Sequence, residues 1–142
     1  MSINIFITLF CFLYSSSNAQ EVDVHLNKEL IAKVGTIYEE TPDDNPCAGS
    51  EIYLTLFFDT EKVSVSEKEV STCGKESVFE IGNFDWQLMS SNEIKIDFDP
   101  QKIKYTYAQN LSLELENNTI IGTIIHLSNT TSKYIFEESN IE

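Results

Sequence analysis

Residues 84–136, FDWQLMSSNEIKIDFDPQKIKYTYAQNLSLELENNTIIGTIIHLSNTTSKYIF, decide the fold. Apolar residues alternate with mostly polar ones along Phe84, Trp86 and Leu88, then Ile94, Ile96 and Phe98, then Ile103, Tyr105 and Tyr107, then Leu111, Leu113 and Leu115. A period of two is the strand period. Between these runs stand Ser90-Ser91-Asn92, Asp99-Pro100-Gln101-Lys102, Ala108-Gln109-Asn110 and Asn117-Asn118, turn formers in connections short enough for hairpins.

Register makes the reading specific, because slipping a strand by one residue would turn its whole apolar set outward. A hairpin closing on Ser90–Asn92 sets Leu88 against Ile94, Trp86 against Ile96 and Phe84 against Phe98. The next predicted turn pairs Phe98 with Ile103, Ile96 with Tyr105 and Ile94 with Tyr107; the one after pairs Tyr107 with Leu111, Tyr105 with Leu113 and Ile103 with Leu115. A two-residue turn at Asn117-Asn118, where asparagine tolerates positive φ, sets Leu115 against Ile120, Leu113 against Gly122 and Leu111 against Ile124. Successive hairpins with one shared buried face are a meander.

Upstream, 51–59 alternates as Ile52, Leu54, Leu56 and Phe58, and 62–70 follows as its hairpin partner with Val63 and Val65 on one side. Residues 32–38 and 77–81 read as further strands, and 132–138 as a closing one. Glu39–Ser50, with two prolines, reads as a loop, and 21–32 as a short lead-in of two readings, strand-like alternation at Val22-Asp23-Val24 or a capped helical turn at 27–32. The total is about ten strands and little helix, an all-β chain. An up-and-down barrel is the expected architecture, because the second half has no long crossing connection and closure removes exposed edges. A β-sandwich is the alternative.

Residues 1–19 have the pattern of a secretory signal peptide, with an apolar core from Ile3 to Tyr14 and Ser17-Asn18-Ala19 as a small-x-small cleavage site, although the segment carries no Lys or Arg. The core is too short to span a bilayer. Cys11 is followed by Phe12, which is not a lipid-attachment arrangement. The expectation is a secreted or periplasmic protein, not an integral membrane one, with a single domain over residues 20–142. Its 9 lysines, with no arginine, face 23 acidic residues for a net charge of −14. That charge disfavours nucleic acid and anionic lipid as partners. Export makes Cys47 and Cys73 an expected disulfide, worth about 3–4 kcal/mol by the chain-entropy argument.

No constellation points to catalysis, a cofactor or a metal, so the chain is expected not to be an enzyme. A serine triad needs a neighbouring histidine, and the chain has only His25 and His126. His126 falls on the inward register of its predicted strand and reads as a hydrogen-bonded structural residue. Asp43-Asp44-Asn45 and Asp97-Phe98-Asp99 offer oxygen ligands but match no EF-hand loop; turn formation and solvation account for them equally well. Asn110-Leu111-Ser112, Asn117-Asn118-Thr119 and Asn129-Thr130-Thr131 fit the N-glycosylation pattern, which has meaning only in a eukaryotic secretory pathway.

Cys47, the Ile52-Leu54-Leu56-Phe58 strand, Cys73, Gly82-x-Phe84-x-Trp86-x-Leu88 and Ile94-x-Ile96 together resemble the secreted lipocalin-like domains of bacteria. The resemblance covers about residues 30–137 and is one of pattern. It departs where Gly82 stands four residues before Trp86 and where the first strand reads Gly35-Thr36-Ile37-Tyr38. It implies a meander barrel with an interior ligand site and no catalytic residue.

Two functions follow as expectations. In the first, the barrel holds a small apolar or amphipathic ligand, with Trp86, Tyr105 and Tyr107 lining the site. In the second, the interior is filled by bulky side chains and the protein acts through its surface. Strand 119–127 is apolar on both faces: Ile120 and Ile124 point inward, and Ile121, Ile125 and Leu127 point outward. A doubly apolar strand is usually covered on both sides, here by the lead-in or, failing that, by a partner protein.

Overall fold

The alternating runs become a closed barrel of eight antiparallel strands, each bonded to its sequence neighbour and the last to the first. The strands are β1 (Glu29–Ile37), β2 (Ser50–Phe58), β3 (Lys62–Ser71), β4 (Glu76–Leu88), β5 (Glu93–Ile96), β6 (Leu111–Glu116), β7 (Thr119–Ile125) and β8 (Thr131–Glu138). The structure is a computed structural model and describes residues 25–38 and 47–139. The expected signal peptide and Asp43-Asp44-Asn45 lie outside the described residues. Among the described residues no helix is long and apolar enough to cross a membrane.

The predicted register holds where turn chemistry is strong. Leu88 pairs with Ile94 and Trp86 with Ile96. At the Asn117-Asn118 turn, both asparagines take positive φ, and Leu115, Leu113 and Leu111 pair with Ile120, Gly122 and Ile124. Asparagine supplies the twist-matched backbone that a two-residue hairpin needs.

Eight strands replace the expected ten for two reasons. Residues 77–81 and 84–88 are one strand, β4, continuous through a bulge at Ile81; the register against β3 shifts between Val65 and Ser66, and Gly82 takes φ 153°. A bulge turns the chain without ending its pairing, so the glycine there is no terminator. The second reason is a correction: Ile103–Tyr107 is not a strand. Residues 97–110 form a series of turns with hydrogen bonds from Lys102 N–H to Asp99 O, Thr106 N–H to Ile103 O and Gln109 N–H to Thr106 O. β5 pairs directly with β6, Ile94 opposite Leu113, so the predicted partners Tyr105 and Tyr107 are displaced. Local i to i+3 bonds and the Asp99 carboxylate, which accepts from Gln101 N–H, hold the segment in turns that alternation alone does not reveal. Phe98 leaves the ladder but keeps its neighbour, with its ring 5.1 Å from that of Phe84 in an edge-to-face contact.

The lead-in differs too: β1 starts at Glu29, and among the described residues a turn at Leu26–Asn27 precedes it, so the helical turn that was one reading of 27–32 does not form. β7 ends at Ile125, and His126 sits in the turn to β8 with its ring Nε2 2.8 Å from Ser132 Oγ.

The barrel is filled where all strands meet. Leu30, Leu54, Leu56, Phe58, Val63, Val65, Phe84, Ile94, Leu113, Ile120 and Phe136 form one buried cluster. Closure is brief, since β1 and β8 pair only at Leu30–Glu138 and Ile31–Glu137. A staple reinforces it: Lys28 Nζ lies 2.5 Å and His25 Nδ1 2.9 Å from the Glu138 carboxylate.

Candidate functional site

An up-and-down barrel has two ends. The tight turns after β2, β4 and β6 make one, the floor; the connections after β1, β3, β5 and β7 make the other, the mouth. At the floor the inward-register residues are apolar except Glu138, which stands opposite Leu30 at the rim. Trp86 completes it, its indole N–H donating to the Asp59 carbonyl at 3.0 Å and its ring meeting Phe58 edge-on at 5.0 Å.

The mouth has a different chemistry, built chiefly by β3. Its inward positions run Val63, Val65, Glu67, Glu69, opposite Phe58, Leu56, Leu54 and Ile52 of β2. On the other side they oppose Phe84, Gly82, Phe79 and Ser77 of β4. Residues directly opposite in a ladder share a face, so two carboxylates and an aromatic ring stand on the concave wall just above the filled core. The wall is part of a groove of about 260 Å³ lined by Ile52, Glu67, Glu69, Ser77, Val78 and Phe79. Phe79 is 60% exposed, and no lining residue is cationic. Lys68, the neighbouring lysine of β3, lies on the opposite face, paired with Glu76 at 2.8 Å.

The 97–110 turns hold this wall in place. The Tyr107 N–H donates to the Glu67 carboxylate at 2.6 Å, and the Ser50 hydroxyl donates to Glu69 at 2.5 Å. Ala108 is fully buried against the core. The Tyr107 ring lies on Gly35 of β1, where a Cβ would stand 2.5 Å from the tyrosine hydroxyl, so only glycine admits it. Burial first, and then the Glu67 carboxylate and the neighbouring Tyr134 of β8, push the Tyr107 hydroxyl above its ordinary pKa. Tyr107 thus stands between β1 and β8 at the end where they do not pair. The Cys47–Cys73 disulfide ties the entry of β2 to the β3–β4 turn at this same end, across 26 residues.

The three aromatic residues expected to share a site are not together. Trp86 belongs to the floor and Tyr107 to the mouth. Tyr105 is 87% exposed with φ 66°, under the Lys104 ammonium at 4.9 Å from its ring. On the outer face, Ile121 is half-buried, Ile125 exposed, and Leu127 98% exposed in the turn after β7. Glu67, Glu69 and Phe79 are functional candidates the sequence reading passed over. The signal was present: Val63-x-Val65-x-Glu67-x-Glu69 keeps its period of two while changing from apolar to acidic.

A second groove, of about 290 Å³, lies on β4 and β5, lined by Asp85, Trp86, Gln87, Lys95 and Asp97. It is slightly larger, but its charges are mixed and Asp85 already pairs with Lys62 at 2.7 Å. The mouth sets two carboxylates, hydrogen-bonded by Tyr107 and Ser50 but in no ion pair among the described residues, beside apolar surface, and has more to offer a ligand. Among the described residues no three His, Cys, Asp or Glu side chains converge as metal ligands. No family model, curated protein or solved structure matches the chain. The fold is that of a closed eight-stranded antiparallel barrel, which fits a lipocalin-like architecture in general.

Proposed function

We propose that the protein is an exported, non-enzymatic binding module that takes a small amphipathic ligand at the mouth of its barrel, not in the interior. The carrying observation is the change along the inward face of β3, apolar at Val63 and Val65 and acidic at Glu67 and Glu69, where the barrel opens beside exposed Phe79. A filled core leaves no room below that level. Carboxylates beside an aromatic ring favour a ligand with a positively charged amine on an apolar body, which gains charge-assisted hydrogen bonds at one end and apolar burial at the other. Export is supported by the signal-like residues 1–19 and by the disulfide, which persists in oxidising compartments.

Titration of the purified protein with a series of small amphipathic amines and carboxylates, followed by nuclear magnetic resonance, tests this. Amines are expected to shift Glu67, Glu69 and Phe79 selectively, and Glu67→Gln with Glu69→Gln to remove the preference. Shifts at Trp86 and Phe58 instead, or equal response to carboxylates, would sink the proposal.

A further inference from the structure

Tyr107 occupies the mouth in the way a ligand would. Its N–H donates to the Glu67 carboxylate of β3 at 2.6 Å, and its ring crosses to β1, where Gly35 leaves room for it. A Cβ at Gly35 would lie 2.5 Å from the phenol oxygen and 3.0 Å from the ring carbon that bears it, so the phenol end of the ring rests on bare backbone. The nitrogen of this residue, its α and β carbons and its aromatic ring are together the skeleton of an arylethylamine. One end sits on a carboxylate and the other in a slot shaped for a ring. The slot adjoins the mouth groove at Glu67, the residue that both share.

The segment that carries Tyr107 is lightly bonded to the barrel. Among the described residues, 98–110 hydrogen-bonds to other strands through the Tyr107 N–H and through the Asn110 side-chain amide, 3.4 Å from Ile125 O. Its remaining bonds close within 98–111, among them Tyr105 N–H to the Gln109 side chain and the Thr106 hydroxyl to Ile103 O. β5 meets β6 only at Glu93–Glu114 and Ile94–Leu113, so Tyr107 can withdraw without breaking a ladder. Phe98, on the ring of Phe84, anchors the segment at its other end.

We propose that Tyr107 is a built-in stand-in for the ligand, and that the amphipathic amine of the mouth is an arylethylamine. Its ammonium takes Glu67 and its ring takes the slot over Gly35 as Tyr107 withdraws. The inference rests on the binding function proposed above and narrows it. An ammonium gives the carboxylate charge-assisted hydrogen bonds, roughly twice as strong as that of a neutral amide N–H, which lets it displace the resident group. The chain connection gives Tyr107 a high effective concentration at the site, so the parent protein limits its own affinity.

The discriminating experiment is a nuclear magnetic resonance titration of the full purified chain with tyramine, with its one-carbon-shorter homologue and hexylamine as controls. Tyramine is expected to shift the amides of Gly35 and Tyr107 together with Glu67, and to bind roughly tenfold more tightly than either control. Tyr107→Ala, which empties the slot, is expected to raise tyramine affinity roughly tenfold. Gly35→Ala, which fills the slot, is expected to lower tyramine affinity and leave hexylamine binding unchanged. Shifts at Glu67, Glu69 and Phe79 without Gly35 and Tyr107, or equal binding of the controls, would overturn the inference and leave the mouth an amine site. Weaker tyramine binding by a Tyr107→Ala chain that keeps the parent circular-dichroism spectrum would overturn it too, by making Tyr107 part of the site and not its competitor. If that variant does not fold, the parent titration decides alone. Failure of every amine to bind would remove this inference and the proposed function together.

Discussion

The floor and the mouth are built by the same strands and differ in almost everything else. At the floor, β3 presents Val63 to Phe58 and Phe84, and Trp86 and the β1–β8 clasp seal the end. A few residues higher, the same inward face presents Glu67 and Glu69 to Ile52, Ser77 and an exposed Phe79. The β2–β3 ladder runs unbroken through a stabilising end and a binding end, while the β3–β4 ladder shifts its register by the bulge at Ile81 between the two levels.

Aromatic truncation at the two ends should separate them most widely. Phe58→Ala removes a fully buried ring and is expected to cost about 3–5 kcal/mol in urea unfolding. Phe79→Ala, on the same sheet, should stay within about 0.5 kcal/mol yet weaken ligand binding. Equal destabilisation would mean that the mouth is part of the core. Next in size is the disulfide: Cys47→Ser with Cys73→Ser should lower stability by about 3–4 kcal/mol. That loss, read in the same unfolding experiment, would show the mouth to be held by a covalent tie where the floor is held by packing.

Charge at the mouth gives the third effect. Glu67→Gln is expected to weaken amine binding roughly tenfold, since one charge-assisted contact becomes neutral. Tyr107 gives the fourth. Its folded pKa is raised, so the stability that comes from keeping its hydroxyl neutral is fully present below the unfolded value of about 10 and is lost as pH rises through the folded one. Melting curves across that window should fall more steeply for the parent than for Tyr107→Phe, and Gly35→Ala, which displaces the ring, should flatten them likewise. The smallest effect belongs to the floor clasp. Lys28 first, then His25, hold the Glu138 carboxylate below its usual range. The contribution is therefore present above about pH 4.3 and is lost as pH falls through the lowered folded value. Glu138→Gln should slightly flatten the acid unfolding curve followed by circular dichroism.

The sequence was legible where side-chain alternation and turn chemistry agree. Asn117-Asn118 fixed the β6–β7 hairpin residue for residue, and the Ser90–Asn92 turn fixed β4 against β5. Alternation misled at Ile103, Tyr105 and Tyr107, where local hydrogen bonds win over pairing; positive φ at Tyr105 is incompatible with a strand. The three aromatics assigned to one site were assigned by that false register. What was not legible was which end of the barrel each inward residue faces, because that depends on closure, a contact between residues far apart in the chain. Without it, Glu67 and Glu69 read as ordinary surface charges.

The clasp also bears on the order of assembly. Every other pairing joins consecutive strands, whereas Lys28 and Glu138 meet from 110 residues apart. Loop-closure entropy makes such a contact expensive until the intervening hairpins have drawn the ends together. The meander is therefore expected to form first and the ring to shut last, leaving a late intermediate that is an open, curled sheet with both outer strands unpaired. Substitutions at Leu30 or Glu138 should accelerate opening more than they slow folding, so the persistence of the closed ring is set at a seam of two paired positions.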